Sequence, residues 1–207
     1  MACDIEISNV TVNGKIISEN KTGATVGGVA GKLYTKGNIV INGCTNNAEI
    51  SAEAEANDNK VGGILGFYSG ANSAEITHNT NNGDVTSKSA RSAGCKAAGI
   101  CITGSTTTGV NISNNTNNGN ITGTECAVAA ISFSGNDSPV YMMSEYTTQN
   151  NANTGKLYTL NYQTFDKTDV LYTFLVYGGK SQTPANNTTD DVKDANGNPV
   201  LEINTNN

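Results

Sequence analysis

The stretch Asn79-Thr80-Asn81-Asn82-Gly83-Asp84-Val85-Thr86 decides the fold, because it returns along the chain at a nearly constant spacing. It recurs as Asn115-Thr116-Asn117-Asn118-Gly119-Asn120-Ile121-Thr122 and, with replacements, at residues 44–51 and 151–157. A more divergent copy occupies residues 10–16. The copies begin at residues 10, 44, 79, 115 and 151, which are 34, 35, 36 and 36 residues apart. A repeat of this length predicts a stack of equivalent units.

A second motif, rich in glycine, keeps step with the first. Val26-Gly27-Gly28-Val29-Ala30-Gly31 returns as Val61-Gly62-Gly63-Ile64-Leu65-Gly66 and, with replacements, at residues 97–102 and 128–133. A short apolar run such as Ile39-Val40-Ile41 lies between the two motifs. Each repeat therefore contains three short runs of β-forming residues separated by Gly, Asn and Ser, and no segment shows the 3.6-residue period of a helix.

Three short strands bury no core by themselves, but coils stacked on one another do. The repeat aligns apolar residues in three columns: Val29, Ile64, Ile100 and Ile131; Ile41, Ile76 and Ile112; Ile16, Ile50, Val85, Ile121 and Leu157. Such β-branched side chains pack well in parallel arrays, and successive coils rise by about 4.7–4.9 Å. We therefore predict an all-β parallel β-helix (β-solenoid) over residues 1–157, with about four coils and repeats of about 35 residues.

The asparagines of the first motif have a structural explanation in this fold. Identical amide side chains stacked from coil to coil hydrogen-bond in a ladder, and Asn and Gly tolerate the left-handed backbone of a tight corner. We predict a corner ladder formed by Asn46, Asn47, Asn81, Asn82, Asn117 and Asn118. The abundance of asparagine thus indicates an architecture and not a ligand site.

The composition changes after about residue 156, where aromatic residues become frequent. Four of them are candidates for a platform that binds a sugar or a protein partner: Tyr158, Tyr162, Tyr172 and Tyr177. The alternative interpretation, which the sequence favours, is that residues 158–207 form a β-rich cap over the open end of the solenoid. This cap would include a hairpin around Asn196-Gly197.

Length, charge and composition exclude several classes of protein. A chain of 207 residues predicts one domain, or one domain with an appendage. A net charge of −6, with Arg91 as the single arginine, disfavours nucleic acid as a partner. No run approaches the ~18 apolar residues of a spanning helix, so we expect no membrane insertion. With one histidine and no C-x-x-C pair we expect no metal, and the Gly-Gly motifs lack the helix and lysine of a phosphate-binding loop, so we expect no cofactor.

The cysteines leave their pairing open. The chain contains five cysteines: Cys3, Cys44, Cys95, Cys101 and Cys126. Because this count is odd, at least one thiol is unpaired. We interpret them as small buried apolar residues or as one incidental disulfide.

The column after the corner glycine holds the candidate catalytic residues. From coil to coil it contains Lys15, Glu49, Asp84, Asn120 and Lys156. Glu49 and Asp84 would lie about 5 Å apart, which is close to the carboxylate separation of a retaining glycosidase. The two lysines and the asparagine favour a solvated edge of mixed charge instead. His78 falls at a turn position, without partners for a catalytic triad. We therefore predict no enzyme activity, with a carbohydrate-active β-helix as the alternative.

Hydroxyl side chains also fall into columns. Thr11, Thr45, Thr80 and Thr116 share one, and Ser51, Thr86 and Thr122 share another. Ordered ranks of this kind on a flat face would suit binding to ice or to a polysaccharide. Threonine is also a good β-former whose hydroxyl satisfies turns, and the sequence favours this structural explanation.

The run Val61-Gly62-Gly63-Ile64-Leu65-Gly66-Phe67, followed by Ile76 and residues 79–85, resembles the GLUG-motif repeats of large bacterial surface proteins. The resemblance covers residues 27–131. It implies a right-handed parallel β-solenoid on an extracellular, adhesin-like protein, and it brings no catalytic residues. In two respects the chain departs from the pattern: Ala98-Gly99 and Ala129-Ala130 replace the Gly pair, and the aromatic residue after the run is kept only in part.

These observations lead to one expected function. We expect a non-enzymatic structural or adhesin-like module of a bacterial cell-surface or secreted protein. The N-terminus lacks the apolar stretch of a signal peptide, so either the signal was removed or the chain is a segment of a longer one. We expect a segment, since the chain begins inside a repeat and stops at residues 204–207 in what resembles another corner motif. The expected partners are a glycan, a host or surface protein, or further copies in an end-to-end or other homo-oligomeric assembly. Long loops at residues 51–60 and 87–96 would be available for contacts. The alternatives are a carbohydrate-active enzyme and a glycan- or ice-binding array.

Overall fold

Stacked coils of parallel strands form the fold. The computed structural model describes residues 2–55, 59–89, 95–104, 106–124, 126–134, 146–160, 176–177 and 188–189. Within these residues the chain is all β with no helix, and every strand pair is parallel. The β-solenoid of about four turns that the repeat predicts is therefore confirmed.

Each of the first four coils contains five strands. The first coil contains β1 (Ile5–Ser8), β2 (Thr11–Val12), β3 (Lys15–Asn20), β4 (Thr25–Gly27) and β5 (Ala30–Tyr34). The second contains β6 (Ile39–Asn42), β7 (Thr45–Asn46), β8 (Glu49–Ala54), β9 (Lys60–Gly62) and β10 (Leu65–Ser69). The third contains β11 (Ala71–Thr77), β12 (Thr80–Asn81), β13 (Val85–Ser89), β14 (Lys96–Ala98) and β15 (Cys101–Thr103). The fourth contains β16 (Thr106–Ser113), β17 (Thr116–Asn117), β18 (Ile121–Thr124), β19 (Ala127–Ala129) and β20 (Ser132–Ser134).

Later strands continue the same stack. They are β21 (Tyr146–Gln149), β22 (Ala152–Asn153), β23 (Leu157–Leu160), β24 (Val176–Tyr177) and β25 (Thr188–Thr189). Strands β21, β22 and β23 pair with the fourth coil, β24 pairs with β20, and β25 pairs with β22. The boundary at residues 157 and 158 and the right-handed sense of the coil stay predictions, and the Asn196-Gly197 hairpin lies outside the described residues.

Equivalent strands of successive coils form five parallel sheets, which we name A to E in chain order. Sheet A has the order β1-β6-β11-β16-β21, sheet B β2-β7-β12-β17-β22-β25 and sheet C β3-β8-β13-β18-β23. Sheet D has the order β4-β9-β14-β19, and sheet E β5-β10-β15-β20-β24. The first coil therefore supplies an edge strand to every sheet.

The prediction of three β runs per repeat is wrong in number, because two of the runs are subdivided. The glycine-rich motif is split by a bend, so that β9 ends at Gly62 and β10 begins at Leu65. The Thr-Asn pair of the corner forms a two-residue strand of its own. The expected loops also shorten, because residues 51–54 belong to β8 and residues 87–89 to β13.

In the first three coils the inner position of the bend leaves no room for a side chain, whereas Ala130 takes this position in the fourth coil. A Cβ on Gly63 would lie 2.5 Å from Cγ of Asn81 and would overlap the carbonyl oxygen of Gly99. In the same way, a Cβ on Gly28 would lie too close to Asn46, and a Cβ on Gly99 would lie too close to Asn117. The bend thus packs directly on the corner asparagines, which explains why this second glycine persists where Ala98 replaces the first.

The interior is filled by the predicted columns. Ile50, Val85, Ile121 and Leu157 are in register along sheet C, and Ile41, Ile76 and Ile112 along sheet A. All seven side chains are at most 2% exposed. Each strand contributes only one apolar residue to a column that the stacked coils share. A chain with 36% hydrophobic residues is therefore sufficient to form a continuous core.

Candidate functional site

Buried amides form the first ladder, at the corner of sheet B. Asn46, Asn81, Asn117 and Asn153 are each 0% exposed and are in register from coil to coil. The amide nitrogen (Nδ2) of Asn46 donates to Oδ1 of Asn81 at 2.8 Å, and the next two steps measure 2.7 Å each. Each Nδ2 also donates to the backbone carbonyl two residues ahead, at 2.6–2.9 Å. These amides are hydrogen-bonded inside the protein, which makes them structural groups.

An exposed ladder runs beside the buried one. Asn82 Nδ2 donates to Oδ1 of Asn47, and Asn118 Nδ2 donates to Oδ1 of Asn82, both at 2.8 Å. Asn13 accepts from Asn47 at 2.9 Å, and Thr154 donates to Asn118 at 2.8 Å. Because side chains alternate across a strand, the two asparagines of each corner point to opposite sides of the coil wall.

A third ladder was missed by the sequence reasoning. Asn79, Asn115 and Asn151 are at most 1% exposed, and the amide of each of the first two donates to the next at 3.0 and 3.1 Å. Their amide nitrogens also donate to the carbonyls of Ile41, Ile76 and Ile112 in the preceding coil, at 2.8–3.0 Å. The signal was present in the sequence, because an Asn opens each of these three copies of the motif. In the second coil Cys44 takes this position.

Threonines of sheet B form an outward column. Thr11, Thr45, Thr80 and Thr116 are in register. Within the described residues, the hydroxyl groups of these four side chains have no hydrogen-bond partner in the protein. We call these residues the threonine column; Ala152 follows it in the next coil. Its hydroxyls are thus available to a ligand or to water.

The second hydroxyl column lies on the outward side of sheet C. Ser51, Thr86 and Thr122 are in register and half-buried, between Ile17 on the first coil and Tyr158 on the fifth. Of the four candidate platform tyrosines, Tyr158 lies on this face and is half-buried, and Tyr177 lies in β24, paired with Phe133. Tyr162 and Tyr172 lie outside the described residues.

The two candidate catalytic carboxylates each contact another group of the protein. Glu49 pairs with Lys15 at 3.2 Å, and both side chains are 53% exposed. Oδ1 of Asp84 accepts from the backbone N–H of Asn120 at 2.8 Å. In the next step of the column, Oδ1 of Asn120 accepts from the backbone N–H of Lys156 at 3.1 Å. The side chains of this column thus make contacts between successive coils, as we expect for a solvated edge of mixed charge.

The histidine occupies a strained turn. His78 is exposed and has a φ of 58°, and it shares its position with Asn9, Gly43, Asn114 and Asn150, all of which have φ between 55° and 67°. In the part of the chain that the structure describes, no group of three or more His, Cys, Asp or Glu residues could hold a metal ion. We therefore interpret His78 as a turn residue.

One disulfide joins consecutive coils. Cys95 and Cys126 precede β14 and β19, and their Cα atoms are 4.6 Å apart. Cys3 is exposed, whereas the thiols of Cys44 and Cys101 are buried. Burial raises the pKa of the Cys101 thiol from 9.0 to about 12, and its hydrogen bond with Ser132 lowers the pKa only in part. Cys101 is therefore a protonated, unreactive thiol at neutral pH.

The described residues contain no helix long and apolar enough to span a membrane. Their geometry defines the class of protein as a parallel β-solenoid whose coils are joined by ladders of hydrogen-bonded amide side chains. Comparison of the chain with protein-family models, with curated proteins and with solved structures finds no match. The resemblance to GLUG-motif repeats therefore stays a prediction.

Proposed function

We propose that this chain is a non-enzymatic structural, adhesin-like module of a secreted or cell-surface protein. The observation that carries the proposal is the Cys95–Cys126 disulfide, which links the third and fourth coils. Disulfides form and persist in oxidising surroundings, such as the cell surface and the extracellular space, and are rare in the cytosol.

The contacts between coils support a scaffolding role. Each coil is joined to the next by strand pairing and by the ladders that contain Asn81, Asn82 and Asn115. Fully satisfied polar networks of this kind make a structure rigid. A rigid stack also displays the same side chains at a regular spacing, which allows many weak contacts to a repetitive partner to add up to strong binding.

The contacts of Glu49 and Asp84 favour this proposal over a carbohydrate-active enzyme. A general acid needs a carboxyl group that is free to reach the glycosidic oxygen. Glu49 is half exposed and paired with Lys15, and Asp84 accepts from the backbone of Asn120. Both carboxylates are therefore held by contacts within the protein, which leaves neither of them free in the way that a general acid requires.

Two measurements test the proposal. First, alkylation of the protein on intact producing cells and in their medium, before lysis, should modify Cys3 but leave Cys95 and Cys126 protected; modification of all three would exclude an oxidising location. Second, beads coated with the protein should adhere to glycan or cell surfaces without degrading polysaccharide. Degradation that is lost in the Glu49→Ala/Asp84→Ala double variant would replace the structural proposal with an enzymatic one.

A glycan- or ice-binding array is the second candidate, and the threonine column favours it, since its hydroxyls have no partner within the described residues. Replacement of Thr45, Thr80 and Thr116 by valine keeps the side-chain shape and removes the hydroxyls. Binding on a glycan array at physiological salt, or inhibition of ice growth, should then disappear. The matched control replaces Thr107 and Thr108 by valine, since the hydroxyls of these exposed side chains already donate to Asn72. No glycan bound and no effect on ice by the unmodified protein would exclude this candidate.

A further inference from the structure

Two outward columns at the corner of each coil form one continuous surface. Thr80 and Asn82 are two residues apart and Asn81 between them is 0% exposed, so the first two point to the same, outward side. The backbone N–H of Asn82 donates to the carbonyl of Asn46 at 2.7 Å, which keeps the coils in register beyond β12. We call this surface the corner face. It consists of the threonine column and the exposed ladder of Asn13, Asn47, Asn82 and Asn118.

The exposed amides keep part of their hydrogen-bonding capacity. An amide side chain has two N–H donors and two acceptor positions. Within the described residues, the side chain of Asn82 donates once, to Asn47, and accepts once, from Asn118. The buried Asn81, by contrast, uses both of its N–H groups. One N–H and one acceptor position of Asn82 are therefore left for a ligand, beside the hydroxyl of Thr80.

The same groups return in each coil with the same orientation. Asn47, Asn82 and Asn118 each donate to the preceding coil, so their remaining N–H groups point the same way. Successive coils are about 4.7–4.9 Å apart, and positions two residues apart on a strand are about 6.4–6.8 Å apart. The corner face is therefore a regular grid of hydroxyl and amide groups.

The corner face carries no charge of its own, because its two columns contain only Thr and Asn. No lysine or arginine belongs to it, so nothing on it would pair with the acidic groups of an anionic chain. The exposed residue Asp84, two residues beyond Asn82, borders it instead. Hydroxyl groups both donate and accept hydrogen bonds, as the groups of the corner face do. The matching ligand is therefore neutral and rich in hydroxyls.

We propose that the corner face binds a neutral, unbranched polysaccharide that lies along the axis of the stack, with successive sugar rings on successive coils. The proposal rests on the second candidate function above, and it names the ligand and its direction. The coils are held by hydrogen-bonded ladders, and β-branched Thr side chains have few rotamers, so binding costs little conformational entropy. Because each further ring repeats the contacts of the one before, affinity rises with chain length until the four threonines are covered.

Calorimetric titration of the full 207-residue chain tests the class of ligand. The probes are cello-, laminari-, manno- and xylo-oligosaccharides of two to six rings. For at least one series we expect the dissociation constant to fall severalfold with each ring up to four, and then to level off. Oligogalacturonides, which carry a carboxylate on each ring, are the matched control and should bind at least tenfold more weakly. No binding of any neutral series, an affinity independent of length, or equal binding of the anionic chain would overturn the proposal.

Substitutions in separate coils test the direction of the chain. Thr45→Val in the second coil and Thr116→Val in the fourth should each raise the dissociation constant of a four-ring oligosaccharide about three- to tenfold. A chain lying across the coils would bind at an unaltered coil and keep its affinity, so unchanged affinity in both variants would contradict the axial direction. The control Thr107→Val/Thr108→Val lies outside the corner face and should leave the affinity unchanged.

Adhesion separates this proposal from the structural, adhesin-like role. If beads coated with the Thr45→Val/Thr80→Val/Thr116→Val variant adhere as well as beads with the unmodified protein, the corner face is not the binding surface, although the adhesin-like role stands. Length-dependent binding of oligosaccharides by a protein that adheres to no surface would support the corner face and contradict that role. Inhibition of ice growth without any oligosaccharide bound would overturn the proposal.

Discussion

Asn81 donates a hydrogen bond of 2.7 Å to Oδ1 of Asn117 in the next coil while both side chains are 0% exposed. The same amide nitrogen donates to the carbonyl of Gly83 at 2.8 Å, and Oδ1 of Asn81 accepts from Asn46. One buried amide therefore links three coils and holds the corner of its own coil. If one amide were lost, its hydrogen-bond partners would stay buried without access to water. We therefore expect the ladder to act as a unit.

Removal of this amide should be costly. Asn81→Ala leaves a donor of Asn46 and acceptors of Asn117 and Gly83 unsatisfied, so the free energy of unfolding should fall by about 3 kcal/mol or more. Chemical denaturation monitored by circular dichroism measures the loss. The matched control is Asn82→Ala in the exposed ladder, which also loses two amide hydrogen bonds but gains access to water. A control that loses as much stability as Asn81→Ala would show that burial of the ladder is not what matters.

Cys44→Asn should extend the third ladder and stabilise the protein. Sγ of Cys44 lies 3.6 Å from the carbonyl of Ile7, in the position from which Asn79 Nδ2 donates to Ile41 at 3.0 Å. An amide at residue 44 would donate to Ile7 and to Oδ1 of Asn79, with a gain of about 1 kcal/mol. The midpoint of chemical denaturation should rise for Cys44→Asn and fall for Cys44→Ala. An equal fall for both variants would mean that the first coil does not accommodate the amide.

The left-handed turn at His78 predicts opposite effects for two substitutions. His78→Asn suits the φ of 58° and should stabilise the protein by about 0.5 kcal/mol, whereas the β-branched side chain of His78→Val should destabilise it by about 1–3 kcal/mol. Thermal unfolding of the two variants gives the comparison. Thr80→Val, two residues away on an ordinary strand, serves as the control and should change stability by less than about 0.5 kcal/mol. The turn explanation fails if both valine variants lose the same stability.

Reduction of the disulfide should destabilise the stack. The bridge closes a loop with a sequence separation of 31 residues, for which the chain-entropy model gives about 3–4 kcal/mol. The double variant Cys95→Ala/Cys126→Ala should therefore unfold at a lower temperature than the oxidised protein, and a reductant should have no further effect on it. Cys101→Ala is the control, since this free thiol contributes no cross-link. An oxidised protein whose unfolding temperature does not respond to reductant would contradict the prediction.

Cys101 should make stability fall at alkaline pH. Its pKa rises from 9.0 in the unfolded chain to about 12 in the folded protein, so the native state keeps a proton that the unfolded state loses. Between these values the free energy of unfolding should decrease with rising pH by up to about 1.4 kcal/mol per pH unit from this group. Below the unfolded-state pKa of 9.0 the contribution is constant. The difference between the native protein and Cys101→Ser isolates it, and parallel pH profiles for the two would argue against a buried thiol.

The repeat allowed much of this fold to be predicted. The columns of Ile50, Val85 and Ile121 and of Ile41, Ile76 and Ile112 follow from the spacing alone, because stacked coils place equivalent residues at equivalent positions. The number of strands in a coil did not follow, because a bend such as that at Gly63 depends on what packs behind it. The ladder of Asn79, Asn115 and Asn151 was also missed, although its spacing was visible.

The pairing of Cys95 with Cys126 could not be predicted from the repeat length. Their separation of 31 residues is shorter than the repeats of 34–36, because residues 125 and 126 alone connect β18 to β19, whereas residues 90–95 connect β13 to β14. Both cysteines nevertheless come directly before strands in register, at the pair Lys96 and Ala127. Spatial alignment is set by strand pairing and not by the count of residues.

By itself, the sequence determined that this chain stacks coils of parallel strands, since a repeat with aligned Ile and Val residues buries a core only in that way. The tertiary structure decided which asparagine of each corner is buried and which is exposed, as with Asn81 and Asn82. It also decided which cysteines meet. These properties depend on the direction of each side chain and each peptide group, and a shift of one residue reverses both.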